Sequence, residues 1–362
     1  MSGRRLLAVS HTGLFSGAER VLVHYLEAAR EAGWQVRCAS PDGTLRDALV
    51  ERAIPVVRLP ELKLGGGPRP VAASAMVARW LPAAARTLHA ASRQADRVLA
   101  NGLLALPALR LARPPVPVCY LIHDVVVRKD LQLMVRLGAP AVDLGIAVSD
   151  AAGALARQCG IPVVVVRNGT RWPVEPTDDV PTLPPIVGIN AMVTPWKGHA
   201  VLLDAMAHVP GAVLEVMGGH FPKDAGHVTA MQRRADQPDV RGRVRFLGHQ
   251  SDPLATMRRW TVAVNASVDP EAAPLSVLDA MSIGLPVIAT DHGGSPEVLG
   301  DGGVLVPPRH AEAMASAVRT LLADPAARAR MGAAARRAVS EQYTLAQTTR
   351  RFLDVLDGAT PR

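Results

Sequence analysis

The stretch Val262-Ala-Val-Asn265-Ala-Ser267-Val-Asp269-Pro-Glu271-Ala-Ala-Pro274-Leu275-Ser276-Val-Leu-Asp279-Ala-Met-Ser-Ile-Gly284-Leu-Pro286-Val-Ile-Ala-Thr290 reads as strand, loop, helix and strand. Val262–Val264 and Pro286–Ala289 are apolar without alternation, as strands are when both faces of a parallel sheet are covered. Pro274 fits the first helical turn, where its missing N–H is no loss. Leu275 and Ser276 then offer backbone N–H groups at a helix start, a seat suited to a diphosphate. Glu271 lies in the loop before that helix, and Asp279 stands four residues beyond Leu275, about one turn up. A carboxylate accepts two hydroxyls at once, which suits the vicinal diols of sugars. Taken alone, two acids eight residues apart are as well explained as solvated charges.

Working outward, the same alternation fills the chain. Further apolar runs are Leu6–Ser10, Val36–Ala39, Pro55–Leu59, Val98–Ala100, Val118–Ile122, Leu144–Val148, Pro162–Val166, Ile186–Ile189, Val213–Met217, Val244–Leu247 and Gly303–Val306. Segments of helix length such as Gly17–Ala32, Met76–Ala91 and Ala200–His208 separate most of them. Thirteen strands are too many for one ordinary sheet. Thr170–Pro185, with Pro173, Pro176, Pro181, Pro184 and Pro185 around Asp178 and Asp179, reads as a linker. The fold class expected is therefore α/β, with two doubly wound Rossmann-like domains over 1–172 and 184–345. Leu345, Phe352, Leu353 and Leu356 give the last segment helical spacing. Ligands of such sheets bind beyond the carboxyl ends of the strands, which puts the expected site in a cleft where the two domains face each other.

Composition narrows the function. The chain has 362 residues, 49% hydrophobic and 20% charged, which excludes wholesale disorder. Its net charge is +8, yet lysine occurs only as Lys63, Lys129, Lys197 and Lys223, and arginine supplies the rest of the 40 basic residues. Basicity of this kind favours anionic ligands and is compatible with weak peripheral attachment to an anionic membrane. The arginines are spread along the chain rather than gathered, so nucleic acid is not an expected partner. Cys38, Cys119 and Cys159 stand far apart and form no C-x-x-C pair. A disulfide framework and a structural zinc site are not expected, and a reduced, cytoplasmic setting is. No run reaches the ~18 apolar residues of a membrane span, and the apolar run after Arg4 and Arg5 is too short for a signal peptide.

Three loops carry candidate chemistry. In His11-Thr-Gly13-Leu-Phe-Ser16-Gly17-Ala-Glu19, Ser16 and Glu19 have capping-box spacing, so a helix should begin just after Ser16. Gly13 and Gly17 let the backbone approach a ligand or simply turn tightly. Lys197, in Thr194-Pro-Trp-Lys-Gly198, follows a strand and would point to where a phosphate lies, although a lone loop lysine is commonly just solvated. His123-Asp124 ends another strand, where a general acid or base and an ordinary hydrogen-bonded histidine are equally open. No G-x-x-x-x-G-K-[ST], G-x-G-x-x-G, H-x-x-x-H or D-x-D occurs, which disfavours a P-loop, a metal cage and a metal-held diphosphate.

Together these residues resemble the family 4 retaining glycosyltransferases of the GT-B fold. Glu271, seven intervening residues and Asp279 resemble the family's E-x7-E signature, followed here by Ala-Met-x-x-Gly-Leu-Pro-Val-Ile-Ala-Thr. Ser16-Gly-Ala-Glu-Arg-Val-Leu is similar to the glycine-rich first loop, and Leu121-Ile-His123-Asp124 to the cleft histidine segment. Ala147-Val-Ser149, Val166-Arg-Asn168-Gly169 and Pro195-Trp-Lys197-Gly198-His199 resemble its strand–serine, asparagine–glycine and lysine-loop patterns. Gly218-Gly219 and Val244–Gly248 fall where a nucleotide-base pocket is expected. The likeness runs in order over about 6–345.

The resemblance implies transfer of a hexosyl group, with retention, from a nucleotide diphosphate sugar to a hydroxyl of a small metabolite, natural product, glycan or lipid-linked glycan. A UDP-sugar is the first expectation and a GDP-sugar the next. It implies catalytic roles for His123, Glu271 and Lys197, and donor binding by Lys197, Glu271, Pro274, Leu275, Ser276, Asp279, Gly17, Gly219 and Gly248. Gly13, Ser16, His123 and Asp124 would lie on the acceptor side, in a first domain that the C-terminal helix 346–362 rejoins. No metal or cofactor is implied, and the chain would act as a monomer or homodimer. Two departures stand out: the second acid is Asp279 where the family has glutamate, and Met192 stands where it has an arginine, for which Arg171 is a candidate substitute. The alternatives are a sugar-nucleotide epimerase or hydrolase of the same fold, or a non-catalytic basic module for nucleic acid or anionic lipid.

Overall fold

The structure is a computed structural model that describes residues 4–62, 70–176 and 183–359. The chain divides into two compact units, Met1–Asn168 with Ala346–Arg362, and Gly169–Leu345.

The first unit holds β1 (Arg5–Ser10), β2 (Gln35–Ser40), β3 (Val56–Arg58), β4 (Arg97–Asn101), β5 (Val118–Ile122), β6 (Leu144–Ala147) and β7 (Val163–Val165). They form one sheet in the order β3-β2-β1-β4-β5-β6-β7, and every pairing is parallel. The central strands are buried along their length because apolar side chains point to both faces, each of which a parallel sheet covers with helices. The last helix, Leu345–Gly358, packs into this unit: Phe352 is fully buried and stacks on Tyr25, ring centroids 4.1 Å apart.

The second unit holds β8 (Ile186–Asn190), β9 (Val213–Met217), β10 (Val244–Gly248), β11 (Val262–Asn265), β12 (Val287–Thr290) and β13 (Gly303–Val306). Its order is β10-β9-β8-β11-β12-β13, again all parallel. The core sits between sheet and helices, with Val187, Ile189, Leu202, Leu214, Val262 and Ile288 fully buried or nearly so. The order places β8 beside β11 although 71 residues separate their ends, so the loops that follow these two strands are neighbours.

Each of the thirteen apolar runs is a strand. The linker region differs from expectation at its start, because residues 169–176 belong to the second unit. Thr170 N–H bonds Tyr343 O (2.8 Å) and Leu345 N–H bonds Thr170 O (3.0 Å), which joins this segment to the end of that unit as a parallel bridge. Asp178, Asp179 and Pro181 of the expected linker lie outside the described residues. Among the described residues no helix is long and apolar enough to cross a membrane.

Candidate functional site

In the second unit the loops beyond β8, β11 and β12 are tied together at their backbones. Val268 N–H bonds Trp196 O (2.8 Å), and Gly294 N–H bonds Glu271 O (2.7 Å). Thr290 Oγ1 donates to Ser267 O (2.9 Å), and His292 Nε2 lies 2.8 Å from the same carbonyl. Gly198 has φ +72°, and a Cβ there would lie 1.8 Å from Ala266 O, so only glycine lets the lysine loop press this closely on the Glu271 loop.

That approach brings Lys197 and Glu271 into a salt bridge of 2.6 Å, the lysine side chain 14% exposed and the glutamate 9%. Asn265 Nδ2 donates to the other Glu271 oxygen at 2.8 Å, and Ser267 Oγ also donates to it. Burial alone would push the Glu271 carboxyl up. The Lys197 ammonium and the hydrogen bonds from Lys197, Ser267 and Asn265 outweigh burial and hold it below the usual carboxylate range. The lysine also lies 4.1 Å from the centroid of the half-exposed Trp196 ring. The two residues expected to hold a phosphate and a sugar therefore hold each other here.

The helix of this loop spans Leu275–Ser282. Pro274 is its N-cap (φ −68°, ψ 117°) and stands just outside it, rather than in the first turn as expected. Pro274 O accepts from Val277 and Leu278, which leaves the Leu275 and Ser276 N–H groups ahead of the first intrahelical bond, as at any helix start. Both residues are part-exposed. Asp279 is buried inside the helix, and its Oδ1 accepts from Thr170 Oγ1 at 2.7 Å. It thus lies beside the segment that bridges to residue 344. Arg171 is exposed, and no hydrogen bond joins it to that group among the described residues. Gly219 gives its carbonyl to Val193 N–H (2.8 Å), and Gly248 gives its carbonyl to Gly218 N–H (2.8 Å), beyond β9 and at the end of β10. A cavity of about 400 Å³ opens beside Trp196, bordered by Phe221, Lys223, Asp269 and Arg309.

In the first unit the helix Gly17–Glu31 begins directly after Ser16, its N-cap. Ser16 donates to Glu19 Oε2 from both its hydroxyl and its N–H. Glu19 is only 4% exposed, and its other oxygen accepts from Asn101 Nδ2 at 3.2 Å. Asn101 Oδ1 in turn lies 2.9 Å from His123 Nε2. Desolvation pushes His123 down to about 4, so the ring is neutral at neutral pH. Gly13 is pressed against its own unit: a Cβ there would lie 2.1 Å from Asp42 O, and its carbonyl accepts from Leu45 N–H (2.8 Å). Gly17 and Asp124 are exposed, and no hydrogen bond joins either to the Ser16–Glu19–Asn101–His123 chain among the described residues, although the Asp124 charge acts on Glu19.

Four participants were not singled out from the sequence for the roles they take: Asn265 and Ser267 around Glu271, and Glu19 and Asn101 behind His123. Asn265 and Asn101 share a signal. Each is a polar residue that ends an apolar strand, β11 or β4, at the carboxyl edge where sheet ligands bind. Among the described residues no group of three or more His, Cys, Asp or Glu side chains could hold a metal ion.

Two family models match the chain in succession: Glycosyltransferase Family 4 over residues 15–171 and Glycosyl transferases group 1 over 177–338. The D-inositol 3-phosphate glycosyltransferase of Mycolicibacterium paratuberculosis is 32% identical over 170 residues, 46% of this chain and 38% of that protein. The Mycobacterium tuberculosis enzyme of the same name is 31% identical over 187 residues, 50% of this chain and 39% of that protein. The matched region thus spans about two fifths of these curated relatives. Among solved structures, Anabaena Alr3699/HepE in complex with UDP and glucose superposes with TM-score 0.80 at 23% identity, over 98% of this chain and 99% of that one. Sucrose-phosphate synthase from Thermosynechococcus elongatus does so with TM-score 0.82 at 21% identity, over 97% and 98%. These likenesses establish the GT-B fold, with its two Rossmann-like domains. Joined to the two family matches, they show that the chain belongs to family 4 of the glycosyltransferases.

Proposed function

We propose that the protein transfers a hexosyl group, with retention of anomeric configuration, from a nucleoside diphosphate sugar to an acceptor hydroxyl. The observation that carries this reading is the buried Lys197–Glu271 pair, set in the loops that lead into the Leu275 helix. Breaking the sugar–phosphate bond builds negative charge on the departing diphosphate. The Leu275 and Ser276 N–H groups and the Lys197 ammonium are fixed positive ends that stabilise such charge, and each well-aimed donor lowers the barrier by about 3 kcal/mol. Lys197 is held by Glu271. A diphosphate would take over part of the lysine and leave a Glu271 oxygen to accept from donor-sugar hydroxyls, while Asn265 and Ser267 keep the carboxylate in place. Neutral His123 would face the reacting sugar. In this scheme the Lys197 ammonium and the Leu275 and Ser276 N–H groups, rather than a metal, meet the charge of the leaving diphosphate.

A UDP-sugar is the favoured donor, supported by the UDP and UDP-glucose complexes of Alr3699/HepE. A screen of UDP, GDP, UDP-glucose and GDP-mannose by thermal unfolding tests both donor and site. A ligand present at 100 times its Kd adds about 2.7 kcal/mol of stability. The UDP series is expected to raise the melting temperature of the wild type and to lose that effect in Lys197→Ala. Equal stabilisation of the two proteins would remove Lys197 from the donor site. Nucleotide release without an added acceptor, as fast as with one, would make the protein a hydrolase.

A further inference from the structure

Glu19, in the first turn of the helix that follows Ser16, is buried, and a transfer reaction gives it no direct part. Its surroundings define what it does. Oε2 takes two donors from Ser16 and Oε1 takes the Asn101 amide, so all three bonds run toward the carboxylate. Burial and the nearby Asp124 charge push the Glu19 carboxyl up, and the two Ser16 donors oppose them. With both Ser16 donors on Oε2, Oε1 is the oxygen left to accept, which turns Asn101 Nδ2 toward Glu19 and its Oδ1 toward His123. An amide oxygen only accepts, so the His123 nitrogen 2.9 Å away must carry a proton. We propose that Glu19, acting through Asn101, fixes His123 as its Nε2–H tautomer, so that Nδ1 meets the substrate as a hydrogen-bond acceptor for a hydroxyl group. This rests on the reading that His123 faces the reacting sugars, and it deepens that reading. The ring in this state does not donate from Nδ1, so it favours a neutral hydroxyl over an oxyanion at that point. Glu19 and Asn101 are positioning residues, and His123 is the group that would touch substrate.

The carboxylate is what gives the chain its direction. A neutral side chain at position 19 can donate as well as accept, which frees Asn101 to turn over and offer Nδ2 to His123. The ring would then carry its proton on Nδ1 and lose the acceptor. Glu19→Gln makes this change at almost constant shape.

Nitrogen-15 NMR of the imidazole groups in the full-length protein at pH 7, with the His123 signal assigned by its loss in His123→Gln, reads the tautomer directly and independently of activity. The wild type is expected to show His123 wholly as Nε2–H, and Glu19→Gln is expected to show an Nδ1–H population. In transfer assays Glu19→Gln is expected to lose kcat on the order of tenfold at nearly unchanged donor KM, as supporting partners of a functional histidine generally do. A wild-type His123 protonated at Nδ1 would overturn the proposal without any variant being needed. A Glu19→Gln protein still wholly Nε2–H would overturn it too. Failure of the glycosyl-transfer reading would show separately, as a wild type that transfers no sugar while its tautomer is as stated.

Discussion

Replacing Lys197 by methionine keeps the length of the side chain and removes its charge, and the structure says how much that should cost. At 2.6 Å and an effective dielectric near 20, the attraction to Glu271 is about 6 kcal/mol. Burying the two ions offsets several kcal/mol of it, whereas removing one partner leaves the other charge buried and uncompensated, a loss of about 3–5 kcal/mol. Asn265 and Ser267 still donate to Glu271, so the low end, about 3 kcal/mol at pH 7, is expected. For a unit of this size that is a fall of about 6–12 °C in melting temperature. The pH dependence fixes the cause. In the wild type the Glu271 carboxyl is held below its ordinary value, so its contribution is fully present above the unfolded pKa, about 4.5, and is lost as pH falls through the lower folded value. Without the ammonium, burial pushes the carboxyl up, and the variant is relieved once Glu271 takes a proton. The deficit should therefore be large at pH 7 and much smaller at pH 4, and Lys197→Met/Glu271→Gln should recover most of it at pH 7. Thermal unfolding of the three proteins followed by circular dichroism at both pH values is the assay. An unchanged melting temperature at pH 7, or an equal deficit at pH 4, would refute the buried pair.

Gly198→Ala should lower stability by about 2 kcal/mol or more, since it combines a left-handed backbone with a Cβ placed 1.8 Å from Ala266 O; an ordinary melting curve would show that the two loops are not in contact. Asp279→Glu adds a methylene to a buried side chain already bonded to Thr170, so a loss of about 1–3 kcal/mol is expected by thermal unfolding, and an unchanged curve would place the acid in open space. Glycosyl transfer measured in EDTA should match that measured without it; abolition by the chelator, restored by a divalent cation, would overturn the metal-free scheme.

The strands were legible because parallel sheets ask for little more than short apolar runs between helices, and Val118–Ile122 or Val213–Met217 can hardly be read otherwise. The helix starts after Ser16 and at Leu275 were legible for a local reason, since a cap and a proline act on their own neighbours. The candidate site could be named from the sequence as a set of residues, but its contacts could not. Lys197 and Glu271 are 74 positions apart, and Thr170 and Asp279 are 109. Neither distance is bridged by anything local. The first pair meets because the strand order puts β8 next to β11, and the second because residue 170 pairs with residue 344. Strand order depends on where each crossover helix packs, and a run of valines does not encode it.

The residues left unread share a physical logic. A buried strand ends where its backbone leaves the sheet, and a polar side chain there costs free energy unless it is bonded. Asn265 meets that demand on Glu271 and Asn101 meets it on Glu19 and His123, so in both units the residue that closes a strand also holds a candidate site side chain beside it. An asparagine closing an apolar run at a sheet's carboxyl edge is thus better read as the support of a neighbouring site residue than as the first residue of a loop. On that view Asn101→Ala should disturb His123, and Asn265→Ala should disturb Glu271, more than either disturbs the sheet. The measurable consequence is a loss of transfer that exceeds the loss of stability in both variants. Two proteins that unfold readily but turn over at the wild-type rate before they do so would assign the asparagines to the sheet instead.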